Sequence, residues 1–188
     1  MGRWEPDARG RLEKAALELF GERGFEQTTA ADIAEMAGLT ERTFFRHFAD
    51  KREVLFGGSG HLQELFVGTL AATPDSVVPM QAVTAALEAA AAAFQRRDHS
   101  RQRQAIIAAN SDLQERELIK LASLAAALAD TLRRRGVTEP AASLAAEAGI
   151  AVFKVAFERW TSAPEEREFS ECIAEALAAL EAVTARAE

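Results

Sequence analysis

Four cations fall within eleven residues, Arg42, Arg46, Lys51 and Arg52, against the single acid Asp50. Guanidinium forks match phosphate oxygens and the acceptor edge of guanine, so the chemistry on offer is the binding of anions or nucleic acid. Thr40, Glu41, Thr43, Phe45 and His47 are interleaved with these cations and add donors, acceptors and one apolar ring. The chain carries a formal net charge of -7, which excludes a broad basic coat and makes any nucleic-acid contact a local one. The competing reading of the same stretch is a solvated surface helix.

Other chemistries find little support. His61 and His99 are isolated, Cys172 is the one cysteine, and no HxxxH or CxxC spacing occurs, so no metal site is expected. No Ser-His-Asp order, paired carboxylate signature or glycine-rich phosphate cradle stands out, so neither an enzyme nor a cofactor is expected. Cys172 cannot close an intramolecular disulfide and reads as a small buried hydrophobe. Met1 to Asp7 lacks an apolar signal core, and the most apolar run, Val83 to Phe94, is mostly alanine and includes Glu88. Both point to a cytoplasmic protein without a membrane span.

The elements that must position the cations are helices. The 188 residues are 48% hydrophobic, with 5 prolines and no tyrosine, a composition that favours an all-α fold. Leu12, Ala15, Ala16, Leu19 and Phe20 recur with helical spacing, and Gly24 stops that helix. Thr29 with Asp32 forms a capping-box-like start for a second helix of about two turns, carrying Ile33, Ala34 and Ala37. Gly38 takes the positive φ that ends it, Leu39 drops inward, and Thr40 caps a third helix running through Phe48. On that helix Phe44 and Phe48 share one face while Arg42, Thr43 and Arg46 point roughly the other way.

This helix, tight turn and helix carry a specific resemblance. The run Thr28 to Lys51, TTAADIAEMAGLTERTFFRHFADK, with the upstream ALELFGERGF ending at Phe25, resembles the DNA-binding signature of the TetR family of bacterial regulators. The resemblance implies that the third helix enters the major groove, with Arg42 and Thr43 at base edges and Glu41 reading or rejecting a base. It implies further DNA contacts from Thr28, Thr29, Thr40, Phe45, Arg46, His47 and Lys51, with Thr28, His47 and Lys51 on phosphates. Asp50 would cap a fourth helix starting at Lys51, whose terminal N–H groups would also receive a phosphate oxygen. One departure is visible: the family commonly has tyrosine where this chain has Phe45, so a hydroxyl often used on phosphate is missing. That loss costs about 0.5–1.5 kcal/mol and does not remove a many-contact interface.

The expected division is a helix-turn-helix domain over 1–55 and a ligand-binding and dimerisation domain over 56–188. Gly57, Gly58 and Gly60 weaken the start of the fourth helix, which links head and body in this family, and suggest a hinge there. Thr73 to Pro79 reads as a loop, followed by a helix with Met80, Val83, Leu87, Ala90 and Phe94. A shorter helix around Arg103 to Ala109 and a long one with Leu118, Leu121, Ala125, Leu128 and Leu132 come next, the latter stopped by Gly136. A helix over about Pro140 to Trp160 has two apolar faces, and a last one over about Pro164 to Val183 carries Phe169, Ile173, Ala176, Leu177 and Leu180.

The aromatic face is expected to line an effector site composed of Leu62, Phe66, Phe94, Ile107, Asn110, Leu121, Phe153, Phe157 and Trp160, although ordinary core packing is the simpler reading of any one ring. The small-residue face, Leu144, Ala148, Ala151, Val152 and Val155, is expected to join Ile173, Leu177 and Leu180 in a homodimer interface. The clusters Arg96, Arg97, Arg101, Arg103 and Arg133 to Arg135 read as charges at helix termini. The runs WEPDARGRL and TERTFFRHFADKREVLF resemble a TetR subgroup that takes acyl-CoA-like ligands, whose phosphates those arginines would suit. Together these readings give a dimeric repressor of palindromic operators released by a small molecule. The rival is a helical small-molecule-binding protein with a non-functional head.

Overall fold

A computed structural model describes residues 7–94, 96–164 and 167–185, and Trp4 to Pro6 of the run noted above lie outside them. Among the described residues the chain is helical, with no strand: α1 Ala8–Arg23, α2 Ala30–Met36, α3 Glu41–His47, α4 Ser59–Ala72, α5 Pro79–Ala93, α6 Arg97–Ala108, α7 Ser111–Arg134, α8 Ala141–Ser162 and α9 Phe169–Thr184. A 3-10 turn, Arg52–Phe56, precedes α4. The fourth element thus opens as a 3-10 turn, followed by Gly57 and Gly58, with α4 proper starting only at Ser59.

The chain forms two compact units. The first comprises residues up to Ser59 together with Gln102–Glu117, and the second comprises Gly60–Arg101 with Leu118–Glu188. The head therefore recruits a distant segment in addition to the stretch expected from sequence. In its core Leu12, Ala16, Leu19, Phe20, Ile33 and Phe44 are buried around Ile106, Ile107 and Leu113. Gln102 donates to the Leu17 carbonyl at 3.1 Å, Arg103 to the Leu55 carbonyl at 2.7 Å, and Arg116 to the Glu53 carboxylate at 2.6 Å. These bonds satisfy main-chain and carboxylate acceptors across 48 to 85 residues of sequence, a separation no local pattern encodes.

In the second unit α8 packs against both α5 and α9. Phe66, Leu70, Val83, Leu87, Leu128, Leu132, Ile150 and Ile173 lie in its core, each large side chain contributing about 1.5–3 kcal/mol by leaving water. The alanine-rich face of α5, with Ala82, Ala86 and Ala90 fully buried, lets neighbouring helices approach closely. Gly149 of α8 marks the tightest such contact: a Cβ there would collide with Val83 Cγ1 of α5. Valine is stiff at χ1, so it cannot swing aside cheaply.

This contact gives a double-mutant test. Gly149→Ala is expected to cost about 1–3 kcal/mol by overpacking. In a Val83→Ala background the same change should cost at least about 0.5 kcal/mol less. Urea denaturation of the four chains measures this, and strictly additive costs would refute the close approach.

Candidate nucleic-acid interface

The geometry begins at Gly38. Its φ of 66 is left-handed, a region that costs a residue with a Cβ about 1–2 kcal/mol. In that conformation the Gly38 amide donates to the Glu35 carbonyl at 2.9 Å and the Leu39 amide to the Ala34 carbonyl at 2.8 Å, the paired bonds of a Schellman stop. Leu39 packs against the head core. Arg11 of α1 donates to the Ala37 carbonyl, which ties the turn to the first helix. Substitution at Gly38 would also crowd that guanidinium, because a Cβ would sit 2.8 Å from its terminal nitrogen.

Both short helices have side-chain caps. The Thr29 amide and hydroxyl donate to the Asp32 carboxylate at 2.8 and 2.6 Å, and the Asp32 amide donates to the Thr29 hydroxyl at 3.1 Å. Those two Thr29 donors hold the Asp32 carboxyl below its ordinary value. The Thr43 amide donates to the Thr40 hydroxyl at 3.2 Å, and the two hydroxyls lie 3.0 Å apart. Phe44 is fully buried and Phe48 nearly so, with ring centroids 5.4 Å apart. With that face pinned, Glu41, Arg42, Phe45 and Arg46 are exposed and Thr43 half-exposed.

Among the described residues most arginines of the same unit are engaged, although the exposed Arg23 at the end of α1 is not. Arg9 donates to the Gly57 carbonyl and Glu13, Arg11 to Ala37, Arg103 to Leu55 and Glu117, and Arg116 to Glu53. Arg42 and Arg46 make no hydrogen bond or ion pair among the described residues. Their donors point into solvent from one side of a two-turn rod.

Several expected contacts are corrected. Thr28 is only 1% exposed, and its hydroxyl donates to the Gly24 carbonyl at 2.9 Å, so it closes the α1–α2 link and is not available to a phosphate. Lys51 donates to the Phe25 carbonyl at 2.7 Å and lies 4.0 Å from the Phe25 ring centroid, a structural tie. As expected, Asp50 caps the N–H terminus read as a phosphate site, accepting from the Glu53 amide at 3.0 Å, but the element it caps is the 3-10 turn and not α4. Burial pushes the Asp50 carboxyl up, but Arg52 and that amide outweigh it and hold it below the usual carboxylate range. His47 is half-buried, with Nε2 shut from water and unpartnered. Thr29 and Thr40 stay at the surface with hydroxyls engaged in capping.

The second unit holds an aromatic cluster. Phe66, Phe153 and Trp160 are buried and Leu62, Phe94, Leu121 and Phe157 partly buried around the same core. Phe169, which sequence reasoning placed on a helix face only, lies 5.0 Å from Trp160 and 5.3 Å from Phe94. Ile107 and Asn110 do not belong to it. Ile107 is fully buried in the head core, and the Asn110 side chain donates to the Ile106 carbonyl at 2.6 Å.

The arginines near this cluster serve helix ends, as read from sequence, though not always their own helix. Arg97 donates to the Trp160 carbonyl at 2.8 Å and Arg101 to Thr161 and Ala163 at 2.8 and 2.7 Å, satisfying the orphan carbonyls at the end of α8. Arg135 does the same for the end of α4, reaching Leu70 and Pro74. On the expected dimer face Leu144, Ala151 and Val155 are exposed and Ala148 half-buried. Val152 and Ile173 are 3% and 1% exposed; each turns into the subunit's own core and is withdrawn from that face. Leu177 and Leu180 pack partly on that core.

Comparison with known proteins settles the family. The family model for bacterial regulatory proteins of the tetR family matches residues 12–56, and that for the MftR C-terminal domain matches 77–185. The chain belongs to the TetR family. This TetR-family chain is 42% identical over 81 residues to the HTH-type transcriptional regulator TcmR of Streptomyces glaucescens, covering 43% of this chain and 36% of TcmR. It is 32% identical over 130 residues to MftR of Mycobacterium tuberculosis, a regulator named for mycofactocin biosynthesis, covering 66% of this chain and 63% of MftR. The matched stretch thus spans less than two thirds of either relative. SmeT, the repressor of the Stenotrophomonas maltophilia efflux pump SmeDEF, superposes with a TM-score of 0.61 at 21% identity, over 93% of this chain and 89% of SmeT. A SmeT complex with triclosan gives the same score, over 92% of this chain and 90% of SmeT.

Among the described residues no helix is long and apolar enough to cross a membrane, and no group of three His, Cys, Asp or Glu side chains is placed to hold a metal ion. Cys172 is free and buried, and that burial pushes its thiol up.

The Lys51 geometry predicts that Lys51→Met lowers the thermal stability of the DNA-free protein by about 1–2 kcal/mol, through loss of a charged hydrogen bond and a cation–π contact. Unchanged stability with weakened duplex binding would return Lys51 to a phosphate.

Proposed function

We propose that this chain is a ligand-responsive transcriptional regulator that binds palindromic operator DNA as a homodimer, with α3 in the major groove. The observation that carries the reading is the pair of unpartnered guanidinium groups, Arg42 and Arg46, on the exposed side of a helix whose other side is locked by Phe44. Arg42 and Thr43 take base edges, Glu41 accepts from or rejects an exocyclic amine, and Arg46 takes a phosphate. His47, half-buried with Nε2 shut from water, would reach a phosphate only through Nδ1.

Dimerisation rests on the exposed apolar row Leu144, Ala151 and Val155 of α8, flanked by Ala148 and by the partly covered Leu177 and Leu180 of α9. A dimer places two recognition helices on one duplex and multiplies two modest affinities.

The effector site is the aromatic cluster of the second unit. Its chemistry favours a neutral, apolar and aromatic effector. The Trp160 indole N–H donates to the Arg167 carbonyl at 3.0 Å, and Arg97, Arg101 and Arg135 hold main-chain carbonyls. An acyl-CoA would need those forks for its phosphates. Triclosan, bound by SmeT, has the chemistry this cluster suits. Effector binding that favours a state unable to grip DNA gives repression that a ligand relieves.

The test selects duplexes from a random library with the full chain and titrates the winner across salt. Arg46→Ala is expected to weaken binding evenly across sequences and lower the log–log salt slope by about 1. Arg42→Ala should cost about tenfold to a hundredfold and relax the preference at one base pair per half-site. Two variants that bind with wild-type affinity, salt slope and selectivity would contradict the reading.

A further inference from the structure

Phe45 is 52% exposed on the helix face that also carries Glu41, Arg42 and Arg46. An exposed ring normally folds down onto apolar neighbours. Here that route is closed, because Phe44 and Phe48 already fill the space beneath α3 and Phe44 meets Phe45 edge-on, with centroids 5.4 Å apart and planes at 82°. The ring rests edge-on against Phe44 and leaves about half of its surface open on the side proposed to read DNA. Phenylalanine neither donates nor accepts a hydrogen bond, so it has nothing to offer a phosphate or a polar base edge. The major groove presents one apolar group, the C5 methyl of thymine.

We infer that Phe45 is a specificity-determining residue that selects thymine at one position of each half-site by packing its ring on that methyl. The inference rests on the reading that α3 enters the major groove. It is separable from that reading, because deoxyuridine keeps every hydrogen-bonding group of thymine and lacks only the methyl.

The experiment takes a duplex enriched by the wild-type full chain and replaces its thymines by deoxyuridine one at a time. At one thymine per half-site, wild-type affinity should fall about threefold to fivefold, the value of one buried methyl, and roughly tenfold or more when both half-sites are changed. Phe45→Ala should bind thymine and deoxyuridine duplexes alike at that position, while Phe45→Tyr, which keeps the ring, should retain the preference. A wild-type protein indifferent to every deoxyuridine overturns the inference without recourse to any variant. So does a Phe45→Ala chain that keeps the full penalty. Failure to enrich any duplex would instead overturn the DNA-binding reading beneath it.

Discussion

Only four residues separate the end of α2 from the start of α3, and the left-handed backbone at Gly38 is what lets the two helix ends lie so close. The end of α2 leaves carbonyls without partners and the start of α3 leaves amides without partners, each costly if buried unpaired. The Schellman bonds from Gly38 and Leu39 satisfy the first set, and the Thr40 hydroxyl satisfies part of the second. Once that turn is fixed, the direction of α3 is fixed, and Phe44 can only point into the head core. The outward set of Glu41, Arg42, Phe45 and Arg46 follows from the burial of Phe44 and the 100° step of the helix. A change in this turn would rotate the whole reading face.

The second principle is where arginine donors go. In a chain of net charge -7, most of the arginine side chains described above hold carbonyl oxygens at helix ends or pair with carboxylates. Arg97 and Arg101 close α8, Arg135 closes α4, and Arg103 stacks on Phe56 while it binds Leu55 and Glu117. Burial pulls the Arg103 guanidinium below its ordinary value, and Glu117 opposes that pull. The Leu55 carbonyl, the Glu117 carboxylate and the Phe56 ring together offset the cost of drawing this cation partly out of water. Against this background, Arg42 and Arg46 stand one turn apart on one exposed helix face with no partner among the described residues, an arrangement that suits an anion. Overall charge conceals this, and the disposition of individual donors reveals it.

What was legible in the sequence was local. The capping pairs Thr29 with Asp32 and Thr40 with Thr43, the glycine stops at Gly38 and Gly136, and the buried face of α3 all follow from short-range rules of spacing and hydrogen bonding. What was not legible depends on contacts between distant segments. Nothing near Gln102 or Arg103 announces that they bind the Leu17 and Leu55 carbonyls, so spacing alone sends Ile107 and Asn110 to an effector site when they belong to the head. Thr28 and Lys51 are drawn away from the expected phosphate contacts for a related reason. Their residue types suit phosphate, but the fold brings nearby carbonyls of Gly24 and Phe25 within reach first. Val152 and Ile173 have the right composition for an interface and the wrong angular position, a distinction that helical periodicity resolves only when the packing partner is known.

The central claim is that α3 lies in the major groove. Dimethyl sulfate tests it most directly, because it methylates guanine at N7 in the major groove and adenine at N3 in the minor groove. The account predicts that the bound chain protects guanine N7 at two positions about one helical turn or a multiple of it apart, with adenine N3 left reactive at the same base steps. Protection confined to adenine N3, or none at all on a duplex that is demonstrably bound, would contradict it.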